Sequence, residues 1–178
     1  MYRSILLAAL IVAAGATTPA VSSSRGEEFR AILAGFNEVG ALNSESGAIL
    51  TQGSGFLELK LDRTNETLTF TLKFENLSSP VTQSHIHFGK EHMAGGVMVF
   101  FCSNLATAPA GTQPCPASGG TVTGTLTAAN VLAIAGQNVT AGDFNAITAA
   151  LLTNTAYANV HTTNFPAGEI RGQVVRGF

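Results

Sequence analysis

The stretch "GSGFLELKLDRTNETLTFTLKFENL", Gly53–Leu77, decides the fold class. In its first half Phe56, Leu57, Leu59 and Leu61 flank Glu58 and Lys60, and in its second Leu68, Phe70, Leu72 and Phe74 alternate with Thr69, Thr71 and Lys73. A period of two is the mark of a strand with one face buried, and the polar "RTNE" between the runs supplies a turn. The pair predicts a β-hairpin. Upstream, "SGAIL" (46–50) extends the alternation, and a further alternating stretch opens at Phe29–Leu33.

Downstream, Pro80 ends the hairpin because it has no N–H for a ladder, and "VTQSHIHF" (81–88) opens the next strand. "GGVMVFF" (95–101) is an apolar run of strand length, predicted to be buried, and "GGTVTGTLTAANV" (119–131) returns to β alternation. One segment breaks the pattern. In "TAGDFNAITAALL" (140–152), Phe144, Ile147 and Leu151 recur at helical spacing behind Asp143, a natural N-cap. Two strands, "TAYANVHT" (155–162) and "GEIRGQVV" (168–175), finish the chain around a turn marked by Pro166 and Gly168. Many short strands with one short helix predict an all-β domain, an antiparallel sandwich or a Greek-key-like barrel.

The N-terminus reads as an export signal: Arg3, an apolar run from Ile5 to Ala14, and small residues up to Ala20, after which cleavage is expected. That run is short for a bilayer span, and no later segment offers one. Residues 1–20 are therefore read as signal, 21–28 as a polar leader and 29–176 as one β domain. Loss of Arg3 leaves eight Lys and Arg against eleven Asp and Glu, a net charge near −3. This argues against a nucleic-acid partner, which would call for a basic surface. In a secreted or periplasmic setting Cys102 and Cys115 are expected to form a disulfide, worth about 3 kcal/mol on the chain-entropy model. Asn65, Asn76 and Asn138 each begin an Asn-x-Ser/Thr triplet that a eukaryotic secretory pathway could glycosylate.

The chemistry gathers around histidine. "SHIHFGKEH", Ser84–His92, holds three of the four histidines, and His161 stands in the penultimate strand. Strand alternation places His85 and His87 on one face, Asn159 with His161, and Glu169 with Arg171 and Gln173. If these strands are neighbours, the polar faces form one patch. Two readings of it stay open. His85, His87 and His161 could bind copper or zinc, since neutral imidazoles suit both. Alternatively they form a hydrogen-bonded structural network with Asn159, Glu169 and Arg171. Glu169 could serve His161 as an acid–base partner, but its spacing from Arg171 reads more simply as an ion pair. His92 follows Gly89 in a loop and faces solvent on this reading. No nucleophile elbow and no phosphate-binding glycine loop occurs, so no catalytic residue and no organic cofactor are assigned.

"VTQSHIHFG" with "YANVHTTNFPAGEIRGQV" resembles the CHRD domain, the module of chordin and of many secreted microbial proteins. "FRAILAGFNEV" (29–39) resembles its opening strand, and the helix region also fits. The chain departs from the family at Gly40-Ala41, where many members carry a proline pair. The resemblance implies an extracellular β fold; for chordin itself it implies growth-factor binding, which does not transfer with the module. His-Ile-His-Phe-Gly is also similar to the copper-ligand strand of copper/zinc superoxide dismutases. The other ligands of their two-metal site find no match, so that activity is not expected. The expectation is a secreted CHRD-type binding or structural module without catalysis, its extracellular or envelope partner unknown. The alternative is a copper- or zinc-binding protein, open to redox activity, built on the histidine patch.

Overall fold

The Gly53–Leu77 hairpin lies toward one end of a single antiparallel sheet in the computed structural model, which describes residues 27–40 and 47–177. Strands β2 (Ser54–Asp62) and β3 (Thr67–Glu75) pair along their whole length, bringing Leu57 opposite Leu72, Leu59 opposite Phe70 and Leu61 opposite Leu68. All six side chains are buried, so the alternation that predicted the strands also sets their register. Asp62 closes the turn: its carboxylate accepts from the backbone of Thr64 and Asn65 and from the Asn65 amide.

β1 (Glu27–Ala34) pairs with β2, and β6 (Gly120–Leu126) with β3. On the other side, β4 (Val81–Phe88) lies between β5 (Gly96–Ser103) and β7 (Ala156–Thr162), and β8 (Ile170–Gln173) joins β7 to β1. The order β5-β4-β7-β8-β1-β2-β3-β6 curls into a nearly closed barrel, the second of the two expected architectures. At its seam the Gln113 amide donates to the carbonyls of Phe101 on β5 and Thr123 on β6. Phe29, Phe70, Phe74, Phe101, Ile86 and Met98 fill the interior, and the rings of Phe70 and Phe101 stand 4.6 Å apart. Helix α1 (Phe144–Leu152) starts at Asp143, whose side chain accepts from the Ala146 N–H, and it buries Phe144, Ile147 and Leu151. Cys102 and Cys115 are joined by a disulfide with Cα atoms 5.0 Å apart.

Three expectations are corrected. The "SGAIL" segment adds no strand over its described residues: the Ile49 N–H bonds the Gly35 carbonyl, and Leu50 is exposed. The first strand includes Glu27 and Glu28, because they pair with Leu61 and Lys60 of β2, while β9 (Val175–Arg176) pairs with Phe29 and Arg30 beside them. The last strand is two pieces, broken at Val174, whose N–H turns to the Ala156 carbonyl while its side chain enters the core. The signal and most of the polar leader lie outside the described residues. No helix among the described residues is long and apolar enough to cross a membrane.

Candidate metal centre

Pairing of β4 with β7 sets His85 opposite Asn159, His87 opposite Tyr157 and Gln83 opposite His161. Cross-strand partners share a face, so these side chains form one grid on the outer surface of the barrel, and Arg171 joins it from β8 opposite Asn159. Toward β5 the register shifts twice, leaving Phe101 and Met98 without partners of their own. Both turn into the core, and Phe100 stays outside against the His85 ring at 4.2 Å. These bulges let β5 bury extra apolar residues without rotating His85 and His87 inward.

An outer face would ordinarily be wet. Here His85, His87 and His161 are only 2%, 8% and 6% exposed. The segment after β4 and the turn between β7 and β8 fold over them, and each supplies a carbonyl to an imidazole. His87 Nδ1 lies 2.9 Å from the Gly95 oxygen, and His161 Nδ1 2.9 Å from the Pro166 oxygen. A carbonyl only accepts, so each Nδ1 carries the proton, and in the neutral ring each Nε2 presents a lone pair. Both Nε2 atoms point at the Asn159 side chain, 3.1 Å and 3.0 Å from its Oδ1. His85 differs: both of its ring nitrogens are buried and neither has a hydrogen-bond partner.

One ring nitrogen from each histidine lies within 4.8 Å of the others. Metal–nitrogen bonds of about 2.0–2.1 Å in a tetrahedral arrangement bring nitrogens to about 3.3 Å, so small side-chain adjustments would close the set. The second contacts suit ligands, since metal-binding imidazoles usually fix their tautomer by donating the other N–H to a carbonyl. Burial, with the neighbouring rings adding to it, pushes the His85 pKa down to about 2. Burial takes His87 down to about 4 and lowers His161, against the pull of the Gly95 and Pro166 carbonyls. All three rings are neutral at physiological pH, the state that binds metal.

The other predicted residues divide. Asn159 stands at the centre. Arg171 lies beside the cluster, its guanidinium 3.4 Å over the Tyr157 ring and its Nη2 donating to the carbonyls of Lys90 and Met93. Tyr157 in turn stacks on His87, with the rings 4.7 Å apart and nearly parallel. Glu169 leaves the patch, correcting both the ion pair with Arg171 and the acid–base pair with His161. The backbone at Gly168 (φ 132°) is not that of a strand, and the ladder starts only at Ile170. The Glu169 side chain turns to Thr51, Ser78 and Thr162. His92 is exposed. Asn65, Asn76 and Asn138 sit at exposed positions.

Two neighbours escaped the sequence reading. Tyr157 was within its reach, since it lies two residues before Asn159 on the same face. Glu38 was not. It is distant in sequence from every strand of the site, yet its buried carboxyl packs against Gly168 and feels the charge of Arg171.

The conserved-domain profile described as "CHRD domain" matches residues 29–174. The chain belongs to the CHRD domain family. No curated protein and no solved structure matches it. In this CHRD domain the "HIH" of β4 and the "NVH" of β7 are cross-strand neighbours, whereas the Glu and Arg of "GEIRGQ" separate, the arginine to the histidine face and the glutamate to the end of the barrel.

Proposed function

We propose that this CHRD domain is a binding module of the secreted or periplasmic space whose ligand is a copper or zinc ion held by His85, His87 and His161. The observation that carries this reading is His85, an imidazole 2% exposed with both nitrogens unpartnered beside two imidazoles already fixed in the ligand tautomer. A buried polar group without a partner costs about 1–3 kcal/mol, and a cation at the meeting point of the three rings would supply the partner. The apolar N-terminal run and the Cys102–Cys115 bridge support the compartment.

The competing reading, a metal-free network, is favoured by Asn159. Turned so that its NH2 group faces both Nε2 atoms, the carboxamide would satisfy His87 and His161. It would leave His85 without a well-formed hydrogen bond, although the Asn159 side chain lies near enough to that ring to favour its charged form slightly.

Replacement of His85 by Phe separates the two. In EDTA, His85→Phe is expected to match or exceed the parent in stability, because an unpartnered polar ring gives way to an apolar one of similar shape. Zinc or copper at a hundred times Kd is expected to stabilise the parent by about 2.7 kcal/mol, seen as a rise of several degrees in Tm, and to leave His85→Phe unmoved. An unshifted Tm of the parent with either metal, together with metal-free protein from its native compartment by elemental analysis, rejects the metal reading.

A further inference from the structure

We infer that the three-histidine centre selects a monovalent soft cation, copper(I), over divalent zinc, and that Arg171 sets this preference. The inference rests on the metal reading above and concerns which ion the site takes.

The donors are neutral. The only cluster of three or more ligating side chains among the described residues is His85, His87 and His161, with no carboxylate or thiolate in it. The carboxamide of Asn159, placed between two of the rings, is neutral as well. An ion entering so buried a site keeps its full charge, and the cost of taking an ion out of water grows with the square of that charge. A dication therefore faces about four times the desolvation cost of a monocation of similar size. Zinc on three nitrogens would also need a fourth ligand such as a water brought into this buried site, whereas copper(I) is satisfied by three.

Arg171 adds to the effect. Its guanidinium lies 3.4 Å over the ring of Tyr157, which is itself stacked on His87 at 4.7 Å, so a fixed positive charge stands one ring away from the site. A fixed positive charge at that distance disfavours any cation in the site, and a dication twice as much as a monocation. Of the nearby carboxylates, Glu38 and Glu91 offset the charge of Arg171 in part, and Glu169 does not. Glu169 is tied to Thr51, Ser78 and Thr162 at the end of the barrel. Glu91 is exposed, and Glu38 lies on the Arg171 side. The arginine itself is fixed by the Lys90 and Met93 carbonyls and cannot swing away freely.

Competition titrations with chelators, run anaerobically on the full-length protein, test this with copper(I), with silver(I) as its redox-inert counterpart, and with zinc(II). The parent is expected to bind copper(I) and silver(I) at least a hundredfold more tightly than zinc. Arg171→Met, which keeps an apolar chain against Tyr157, is expected to narrow that ratio by about tenfold. Glu38→Gln, measured at pH 8, removes the carboxylate facing Arg171 and is expected to widen it; this variant leaves the Lys90 and Met93 carbonyl contacts in place should Arg171→Met fold poorly. Zinc bound as tightly as silver(I), or a ratio unmoved in both variants, overturns the selectivity while leaving the metal centre standing. Failure of all three ions to bind overturns the centre itself, and the selectivity with it.

Discussion

Glu169 shows how a single carboxylate can serve the fold after leaving the site where alternation placed it. Its oxygens accept from Thr51 Oγ1, the Ser78 N–H, Ser78 Oγ and Thr162 Oγ1, which joins three separate segments at one end of the barrel. Burial alone would raise its pKa, but these four donors outweigh burial and hold the carboxyl below its ordinary range. A depressed folded-state value means that the group stabilises above pH 4.5 and loses that contribution as pH falls through the folded value. Glu169→Ala is expected to cost about 2–3 kcal/mol by urea denaturation, since it strands the buried Thr162 hydroxyl together with three partly buried donors. Glu169→Gln is expected to cost about 1–2 kcal/mol, because the hydroxyls of Ser78 and Thr162 can rotate to accept from the new NH2 group. Equal costs for the two variants would show that the lost charge accounts for the whole effect and the lost volume for none of it.

At the level of elements, β8 is four residues long and still connects the histidine half of the barrel to the hairpin half. Its partners are β7 along Ile170–Gln173 and β1 through the single pair Ala34–Arg171. So short a strand closes the sheet only if its backbone approaches β1 closely, and Gly172 provides this. A Cβ at Gly172 would overlap the carbonyl of Ile32, a backbone atom with little freedom to move. Gly172→Ala is thus expected to lower stability by about 2 kcal/mol or more and to speed hydrogen exchange first in β8 and the end of β1. Exchange rising uniformly over the whole sheet would instead mean that β8 opens only with global unfolding. The bulges of β5 act in the other direction, adding core without disturbing the histidine face.

For the whole molecule, the buried titratable groups set the acid limit of stability. Three imidazoles have folded-state pKa values below the ordinary 6.5, so between about pH 4 and 6.5 the unfolded chain binds protons that the folded chain does not, and stability rises with pH. Glu38 works the opposite way. Burial raises its pKa to about 7, partly offset by Arg171, so its contribution is full below pH 4.5 and is lost as pH climbs to about 7. Three protons against one leave the histidines dominant. In EDTA, stability is expected to fall by about 1–3 kcal/mol for each unit that the pH drops near pH 5. His85→Phe should remove about a third to a half of that slope. A parent whose stability is flat between pH 4.5 and 6.5 would show that the rings are more open to water than their burial indicates.

The sequence by itself determined the all-β class, the hairpin and its register, the capped helix at Asp143, and the grouping of His85 with His87 and of Asn159 with His161. Each of these follows from local periodicity, a cap or a turn, and the family match over residues 29–174 agrees with them. Whether the two histidine strands would be neighbours was beyond local pattern, because β4 and β7 are separated in the chain by two strands and a helix. Only the closed sheet decided it. Tertiary structure likewise decided that the polar face is dry, since the carbonyls of Gly95 and Pro166 arrive from loops whose paths no periodicity encodes. Glu169 and Arg171 part because Glu169 precedes the start of β8 and bonds Thr51, Ser78 and Thr162, just after Gly168, whose backbone conformation is allowed to glycine and is packed against Glu38, more than a hundred residues away. Strand alternation assigns a side chain to a face only while the ladder holds, and the ladder is a property of the assembled sheet.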